Sequence, residues 1–309
     1  MKICFIAPGE IEIPPNGWGA LETVLWNQYE SLKKLGVDVH YINSKDTNYT
    51  AEKVMELSPD FVHLHLGKHW EIMPQLPFKK IVTSHDGSFM HSKPFHERLI
   101  RNFFYDCIFF PLTSWERDFI IRIGIPSYNC SIIPNGVSFS SFNRVSLSNI
   151  KDKTLCLGKI DHRKRQHELQ AMNLGIDFVG FNTIPEFNEN DESFLGPWSR
   201  DQVFENLTYY SNLVLLSSSE LQPLVCLEAL AAGLGLVLSS AATQNLDTSL
   251  DFVTVIPDDK LNDADYISFA IKENREVSRL SRNTIIEYGR SFDWINIGTK
   301  YLNALSSHE

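Results

Sequence analysis

Short, almost wholly apolar runs alternate along this chain with longer stretches whose apolar residues recur every three or four positions. The first kind predicts strands covered on both faces and the second amphipathic helices; their alternation predicts parallel α/β sheets. In the first half, strands are expected at Ile3–Ala7, Val37–Asn43, Phe61–Leu64, Lys80–Thr83, Cys107–Leu112 and Asn129–Ile133. Helices are expected at Ala20–Leu35, Glu52–Leu57, Pro94–Phe103 and Ser114–Ile123. Pro134-Asn135-Gly136 then breaks the chain, and the polar stretch 138–153 lacks periodicity. The pattern restarts with strand Thr154–Leu157, helix Lys164–Asn173, and strands Asp177–Val179 and Ser193–Leu195. Helix Arg200–Tyr210, strand Leu213–Leu216, a helix containing Glu228, strands Leu236–Leu238 and Val253–Ile256 and helix Ala264–Arg279 follow. Trp294, Ile297, Tyr301 and Leu305 lie at helical spacing in a last helix, expected to pack on the body or to cross back to the first domain. The expected division is a first Rossmann-like domain over 1–150, a second over 151–290, and the C-terminal helix over 291–309. Two doubly wound domains in tandem imply a cleft at the carboxyl ends of their strands, where such folds bind ligands.

Composition narrows the choice. Residues 1–150 hold 14 Lys and Arg against 15 Asp and Glu, and the remainder 14 against 23. So acidic a second half argues against nucleic acid as a partner. The five cysteines are scattered without a paired motif and read as reduced core thiols of a cytoplasmic protein. No apolar run approaches the roughly 20 residues of a membrane span.

The chemistry concentrates in Leu215–Leu230, where Glu220 and Glu228 stand eight positions apart. Glu220 is expected on a loop after a strand and Glu228 inside the following helix, with Pro223 near the helix start. That helix N-terminus offers backbone N–H groups to a phosphate, and the two acids could hold sugar hydroxyls. Ahead of it, Lys159, Arg163, Lys164 and Arg165 follow a strand and suit a diphosphate, although a solvated helix start would look the same. The loop Pro8–Leu21 places Gly17 and Gly19 before a helix, as an anion cradle or an ordinary loop. Asp263-Ala264-Asp265 spells a metal-binding text, but its place at a helix start predicts a cap. His63 and His65 flank one residue without a third ligand in view, which predicts core or cleft-lining roles rather than zinc. The basic and apolar residues of 91–101 fit an ordinary surface helix or a peripheral contact with an anionic membrane.

Five segments resemble, in order along the chain, the retaining GT-B-fold glycosyltransferases of family 4 (glycosyl transferases group 1). They are Gly17-Trp18-Gly19-Ala20-Leu21-Glu22, Ile133-Pro134-Asn135-Gly136-Val137, Gly158-Lys159-Ile160 through Lys164-Arg165-Gln166, the Glu220/Glu228 pair, and Phe292-Asp293-Trp294. The resemblance implies transfer of a sugar, with retention, from a nucleotide sugar to an acceptor hydroxyl. The donor would be a UDP-sugar, or else a GDP-sugar, and the acceptor a sugar, glycan or lipid-linked sugar, with no metal or other cofactor required. It implies catalytic roles for Glu220, Lys164 and His85. Donor contacts would come from Gly17, Gly19, Lys159, Lys164, Leu195, Leu224 and Val225, with Glu228 on the ribose. The implied location is the cytoplasm or the inner face of a membrane. A sugar-nucleotide epimerase and a non-catalytic nucleotide- or carbohydrate-binding subunit are the alternatives. Three departures stand out. Lys159 replaces the family's usual Arg, Gln222-Pro223-Leu224 replaces Gly-Phe-Gly, and the second domain is short, with Glu220 only 61 positions after Lys159. The missing length falls around 175–192, where a strand or helix is expected to be absent.

Overall fold

The computed structural model describes residues 1–17, 19–65, 68–85, 104 and 106–308. The chain divides into two compact units, Met1–Gly136 with Trp294–Glu309, and Val137–Asp293. The division therefore falls after Gly136, ahead of the position near 150 read from the sequence. Val137 explains the difference: its N–H donates to Phe292 O (2.9 Å) and its side chain joins the second core.

The first unit opens with β1 (Lys2–Ala7), α1 (Ala20–Lys34), β2 (Asp38–Asn43), α2 (Thr47–Leu57) and β3 (Phe61–His65). It continues through β4 (Lys79–Thr83), β5 (Ile108–Phe109) and α3 (Ser114–Arg122). The strands form one parallel sheet in the order β2-β1-β3-β4-β5, with Ile3 opposite Val39 and Phe61, and His65 opposite Thr83. Ile3, Cys4, Phe5 and Ile6 are all fully buried, as an apolar run covered on both faces requires. Helix α2 begins earlier than its apolar pattern suggests, because the Asp46 carboxylate caps the N–H groups of Asn48 and Tyr49 at 2.9 and 3.0 Å. The strand expected at Asn129–Ile133 is a 3-10 turn (Ser127–Asn129) and an extended edge. That edge makes one bridge, Cys130 to Phe109, with Ser131 and Ile133 donating to Phe109 O and Pro111 O. The helix expected at Pro94–Phe103 lies outside the described residues.

The second unit contains β6 (Thr154–Leu157), α4 (Gln166–Ala171), β7 (Ile176–Val179), α5 (Arg200–Asn206), β8 (Asn212–Leu215) and α6 (Leu224–Ala232). After them come β9 (Gly235–Ser239), β10 (Val253–Ile256), α7 (Ala264–Leu280) and α8 (Arg282–Arg290). Its parallel sheet runs β10-β9-β8-β6-β7, the same connection pattern as the first. Helix α6 is apolar almost all round, and from Val225 to Ala232 every residue is buried. Asn274 of α7 satisfies buried backbone, its amide donating to Leu236 O and Phe252 O at 3.1 Å each. The chain from Gly180 to Ser199 contains no helix, and the strand expected at Ser193–Leu195 is a single bridge from Phe194 to Phe178. Asp263 caps α7, accepting from Tyr266 N–H at 3.0 Å. Helix α4 starts later than expected, because His162–Lys164 is a 3-10 turn and Arg165 sits in the left-handed region (φ 58°).

The last helix, α9 (Trp294–Ser306), belongs to the first unit and packs on α1. Ser31 Oγ donates to Trp294 O at 2.6 Å, and Gly298 sits where a Cβ would come within 2.4 Å of that same Oγ. Both sheets are α/β and doubly wound, as the alternating pattern predicts. All five cysteines are buried. Among the described residues no helix is long and apolar enough to cross a membrane.

Candidate functional site

In a sheet ordered this way the chain leaves the first strand in one direction and later returns on its other side. The carboxyl ends of the first and third strands therefore diverge, and ligands bind there. In the second unit that point lies between β6 and β8, whose following loops carry the basic and acidic residues singled out above.

From β6 the chain passes Gly158 and Ile160 to Asp161, which accepts from Lys164 N–H at 3.0 Å and closes the 3-10 turn. Gly180, after β7, must lack a side chain, since a Cβ there would lie 1.9 Å from Gly158 O. From β8 the chain runs through Ser217 to Glu220. Backbone ties the two loops together: Ser218 N–H donates to Arg163 O (2.8 Å) and Arg163 Nη1 donates to Ser219 O (2.5 Å). Glu220 Oε1 then receives Lys164 Nζ at 2.7 Å, Arg163 Nη1 at 2.7 Å and Ser217 Oγ at 2.9 Å. The Lys164 and Glu220 side chains are only 11% and 10% exposed, whereas Arg163 is 43% exposed, so a largely buried ion pair is met from the solvent side by a second cation. Burial alone would raise the Glu220 carboxyl, but the Lys164 and Arg163 charges, with hydrogen bonds from Lys164 and Ser217, hold it below the ordinary 4.5. A carboxyl held low in the folded state contributes stability above its unfolded pKa and loses it as pH falls through the folded value. The melting-temperature difference between wild type and Glu220→Gln is accordingly expected to be largest near neutral pH. It should shrink as the pH drops below 4.5, which melts across an acid series will check.

Helix α6 starts beside this cluster with Pro223 as its first flanking residue and no side-chain cap, leaving Leu224 and Val225 N–H at its open end. One face further along, Glu228 is buried and its Oε1 pairs with Arg200 Nη1 at 2.6 Å, while the Arg200 guanidinium covers the Phe204 ring at 4.8 Å. Leu195 is 43% exposed in the loop after β7, its N–H bound to Phe178 O. Lys159 is placed differently from Lys164. It is exposed, its carbonyl accepts from Gln166 Nε2 (2.8 Å), and its ammonium bonds to none of the described residues. Two participants escaped the sequence reading. Arg163 appeared there only as one of a basic run, and Arg200 only as a helix start; the signal that would have found both is two buried acids needing counter-charges.

In the first unit the corresponding point lies between β1 and β3. Gly19 precedes α1 at φ 133°, and a Cβ there would press on Glu22 Oε2 (3.1 Å) and Pro15 (3.2 Å). Gly17 is also left-handed (φ 103°); Trp18 lies outside the described residues. The loop is held by Gly9 N–H on Asn43 Oδ1 (2.9 Å) and by Lys45 and Lys68 on Glu10. His85, just past β4, hydrogen-bonds His65 at 2.8 Å, so the third histidine missing beside His63 and His65 in the sequence is supplied by the segment that follows the neighbouring strand. Among the described residues no His, Cys, Asp or Glu cluster has the form of a metal site.

No protein-family model matches this chain, and no curated protein matches it in sequence. Solved structures do. Anabaena HepE in complex with UDP-glucose is similar with a TM-score of 0.75 at 15% identity, over 99% of this chain and 100% of that one. Sucrose-phosphate synthase from Thermosynechococcus elongatus gives 0.73 at 14%, over 100% and 99%. The lipopolysaccharide outer core galactosyltransferase WaaB gives 0.69 at 16%, over the full length of both. At such identity the likeness establishes the fold: the chain has the two-domain GT-B fold of these glycosyltransferases.

Proposed function

We propose that this protein is a retaining glycosyltransferase that moves a sugar from a nucleotide-sugar donor to an acceptor hydroxyl in glycan, polysaccharide or glycolipid biosynthesis. The observation that carries the reading is the Lys164–Glu220–Arg163 cluster, whose Lys164–Glu220 pair is largely buried, at the switch point of the second sheet beside the uncapped start of α6. A diphosphate leaving group develops negative charge as the glycosidic bond breaks. Lys164 and Arg163, together with the Leu224 and Val225 N–H groups, supply compensating positive charge that is already in place. Lys159, exposed at the rim, adds a further cation once a diphosphate arrives. Glu220, held ionised by its cations, orients donor-sugar hydroxyls rather than attacking the sugar. Glu228, steadied by Arg200, accepts from the ribose hydroxyls, and Leu195 borders the base. In the first unit Gly17 and Gly19 admit the donor's backbone contacts and His85 meets the transferred sugar. The acceptor attacks from the face the phosphate leaves, and the phosphate takes its proton.

A UDP-sugar is the preferred donor, since HepE, similar over the whole chain, binds UDP-glucose. The transferred sugar would be a hexose, and the cations already at the site make the chemistry metal-independent. The acceptor would be a sugar, glycan or lipid-linked sugar reached from the cytoplasm, with peripheral membrane contact through 91–101, a segment outside the described residues. The test is a thermal-shift panel of UDP, GDP, ADP and CMP on wild type and Glu228→Ala. A nucleotide at about 100 times its Kd should add roughly 2.7 kcal/mol to stability. Stabilisation of wild type alone by UDP supports the reading, and no shift with any nucleotide overturns it.

A further inference from the structure

Three loops of the first unit meet over one carboxylate. Strands β2, β1 and β3 are neighbours in the sheet, and Lys45, Glu10 and Lys68 follow their respective carboxyl ends. Glu10 Oε2 receives Lys45 Nζ at 3.0 Å and Glu10 Oε1 receives Lys68 Nζ at 2.5 Å, one oxygen to each cation. Hydrogen bonds from Lys68 and then Lys45 hold the Glu10 carboxyl below the ordinary 4.5. Among the described residues neither ammonium pairs with any other group, so each keeps two of its three N–H bonds to give.

Beneath these charges the loops are fixed to one another. Gly9 (φ 77°) runs so close to the loop after β2 that a Cβ would lie 2.2 Å from Ser44 C and 2.4 Å from Lys45 N. Asn43 ties the first loop twice, accepting from Gly9 N–H (2.9 Å) and donating to Ile11 O (2.8 Å). His69, next to Lys68, is 2% exposed and left-handed (φ 63°). Its Nε2 donates to Ser44 O at 2.7 Å and its Nδ1 pairs with Thr47 Oγ1 at 3.0 Å. A glycine without room for a side chain and a buried left-handed histidine thus set two lysines from different loops at a common point. Folding has little use for that placement. Ion pairs as exposed as these (63%, 49% and 41% for Lys45, Glu10 and Lys68) add little to stability.

We propose that Lys45 and Lys68 form a seat for a phosphate group carried by the acceptor, with Glu10 holding its place until it arrives. The seat lies at the carboxyl ends of the strands, the side on which such sheets bind ligands. A phosphate dianion brings twice the charge of the carboxylate and a third oxygen, so it draws both ammoniums while the half-exposed Glu10 turns into water. Two point-like ammoniums suit a tetrahedral phosphate, whereas a planar carboxylate is better matched by guanidinium. The phosphate belongs either to a soluble sugar phosphate or to the diphosphate head of a lipid-linked sugar, one chemistry from two sources. The inference deepens the proposed transferase reading and rests on it only for calling the ligand an acceptor.

The experiment is amide NMR of the full chain labelled with 15N-lysine, Lys45 and Lys68 being assigned by signal loss in Lys45→Gln and Lys68→Gln. Inorganic phosphate and glucose 6-phosphate should shift both signals, and glucose neither. Lys45→Gln, read at Lys68, should weaken phosphate binding about threefold or more, and added salt should weaken it further. Glu10→Gln should tighten it about threefold, which loss of a merely structural ion pair would not do. Tighter binding of geranyl diphosphate than of glucose 6-phosphate traces the phosphate to a lipid-linked acceptor, and the reverse order to a soluble one; either supports the seat. Lysine signals indifferent to every phosphate, or an affinity unmoved by Lys45→Gln or by Glu10→Gln, overturn the proposal. These titrations contain no donor, so absence of transfer with every nucleotide sugar would instead count against the transferase reading and leave the binding result standing.

Discussion

Lys164→Ala and Glu220→Ala are each expected to lower sugar transfer by about two orders of magnitude, the usual cost of deleting one preorganised transition-state contact. The losses arise differently. Without Lys164 the site loses a cation aimed at the leaving diphosphate, and Glu220 keeps only Arg163 and Ser217. Without Glu220 the two cations face each other with no counter-charge, and the donor sugar loses its anchor. Because the pair meets at 2.7 Å and shares one function, the double variant should fall far short of the product of the single losses. Initial rates for the four proteins, with nucleotide affinity measured alongside, check this. Affinity should weaken mainly in Lys164→Ala, where the proposed contact with the phosphate is lost, and less in Glu220→Ala. Unchanged turnover in both single variants would remove the catalytic assignment.

Much of this site is readable from the sequence because its two loops directly follow strongly apolar strands. Leu213–Leu216 and Thr154–Leu157 can hardly be anything but covered strands, so Glu220 and Lys164 must emerge near one edge of one sheet. What spacing cannot show is pairing. Arg163 reaches Glu220 and Arg200 reaches Glu228 only because chain segments distant in sequence are brought together. The same holds for His85, which meets His65 through the β3–β4 register. Element ends went astray where polar groups override periodicity. Asp46 extends α2 by capping it, and Arg165, in the left-handed region, delays α4. At Asn129–Ile133 a β-rich composition yields only an extended edge, since Pro126 and Pro134 bracket it and β5 offers two paired residues.

Arg282→Met is expected to destabilise the second unit by about 3 kcal/mol, roughly a hundredfold in the folded-to-unfolded ratio. Arg282 is 6% exposed and spreads its guanidinium over backbone carbonyls, Nη1 on Tyr210 O (2.8 Å) and Nη2 on Thr208 O (2.5 Å) and Ala232 O (2.8 Å). Ala232 O ends α6, so the cation also meets the negative pole of that helix. Among the described residues no carboxylate pairs with it. Burial and the Arg144 charge lower it from 12.5 to about 10, which still leaves it charged at neutral pH. Gly233 makes room, since a Cβ there would lie 2.6 Å from Arg282 Nε. Methionine would fill much of the volume and relieve the desolvated charge, but three buried carbonyls would lose their donors, and that loss dominates. Lysine should fall between, because a point charge cannot reach three carbonyls as a planar fork does. Urea unfolding of Arg282→Met, Arg282→Lys and exposed Arg279→Met checks the ranking, and a midpoint for Arg282→Met equal to that for Arg279→Met would refute it. Since Arg282 joins the end of α6, which carries Glu228, to the segment leading into β8 and Glu220, the folded variant should still transfer sugar at low temperature. It should then lose activity together with its structure on warming, which separates a clamp on the site from a part in its chemistry.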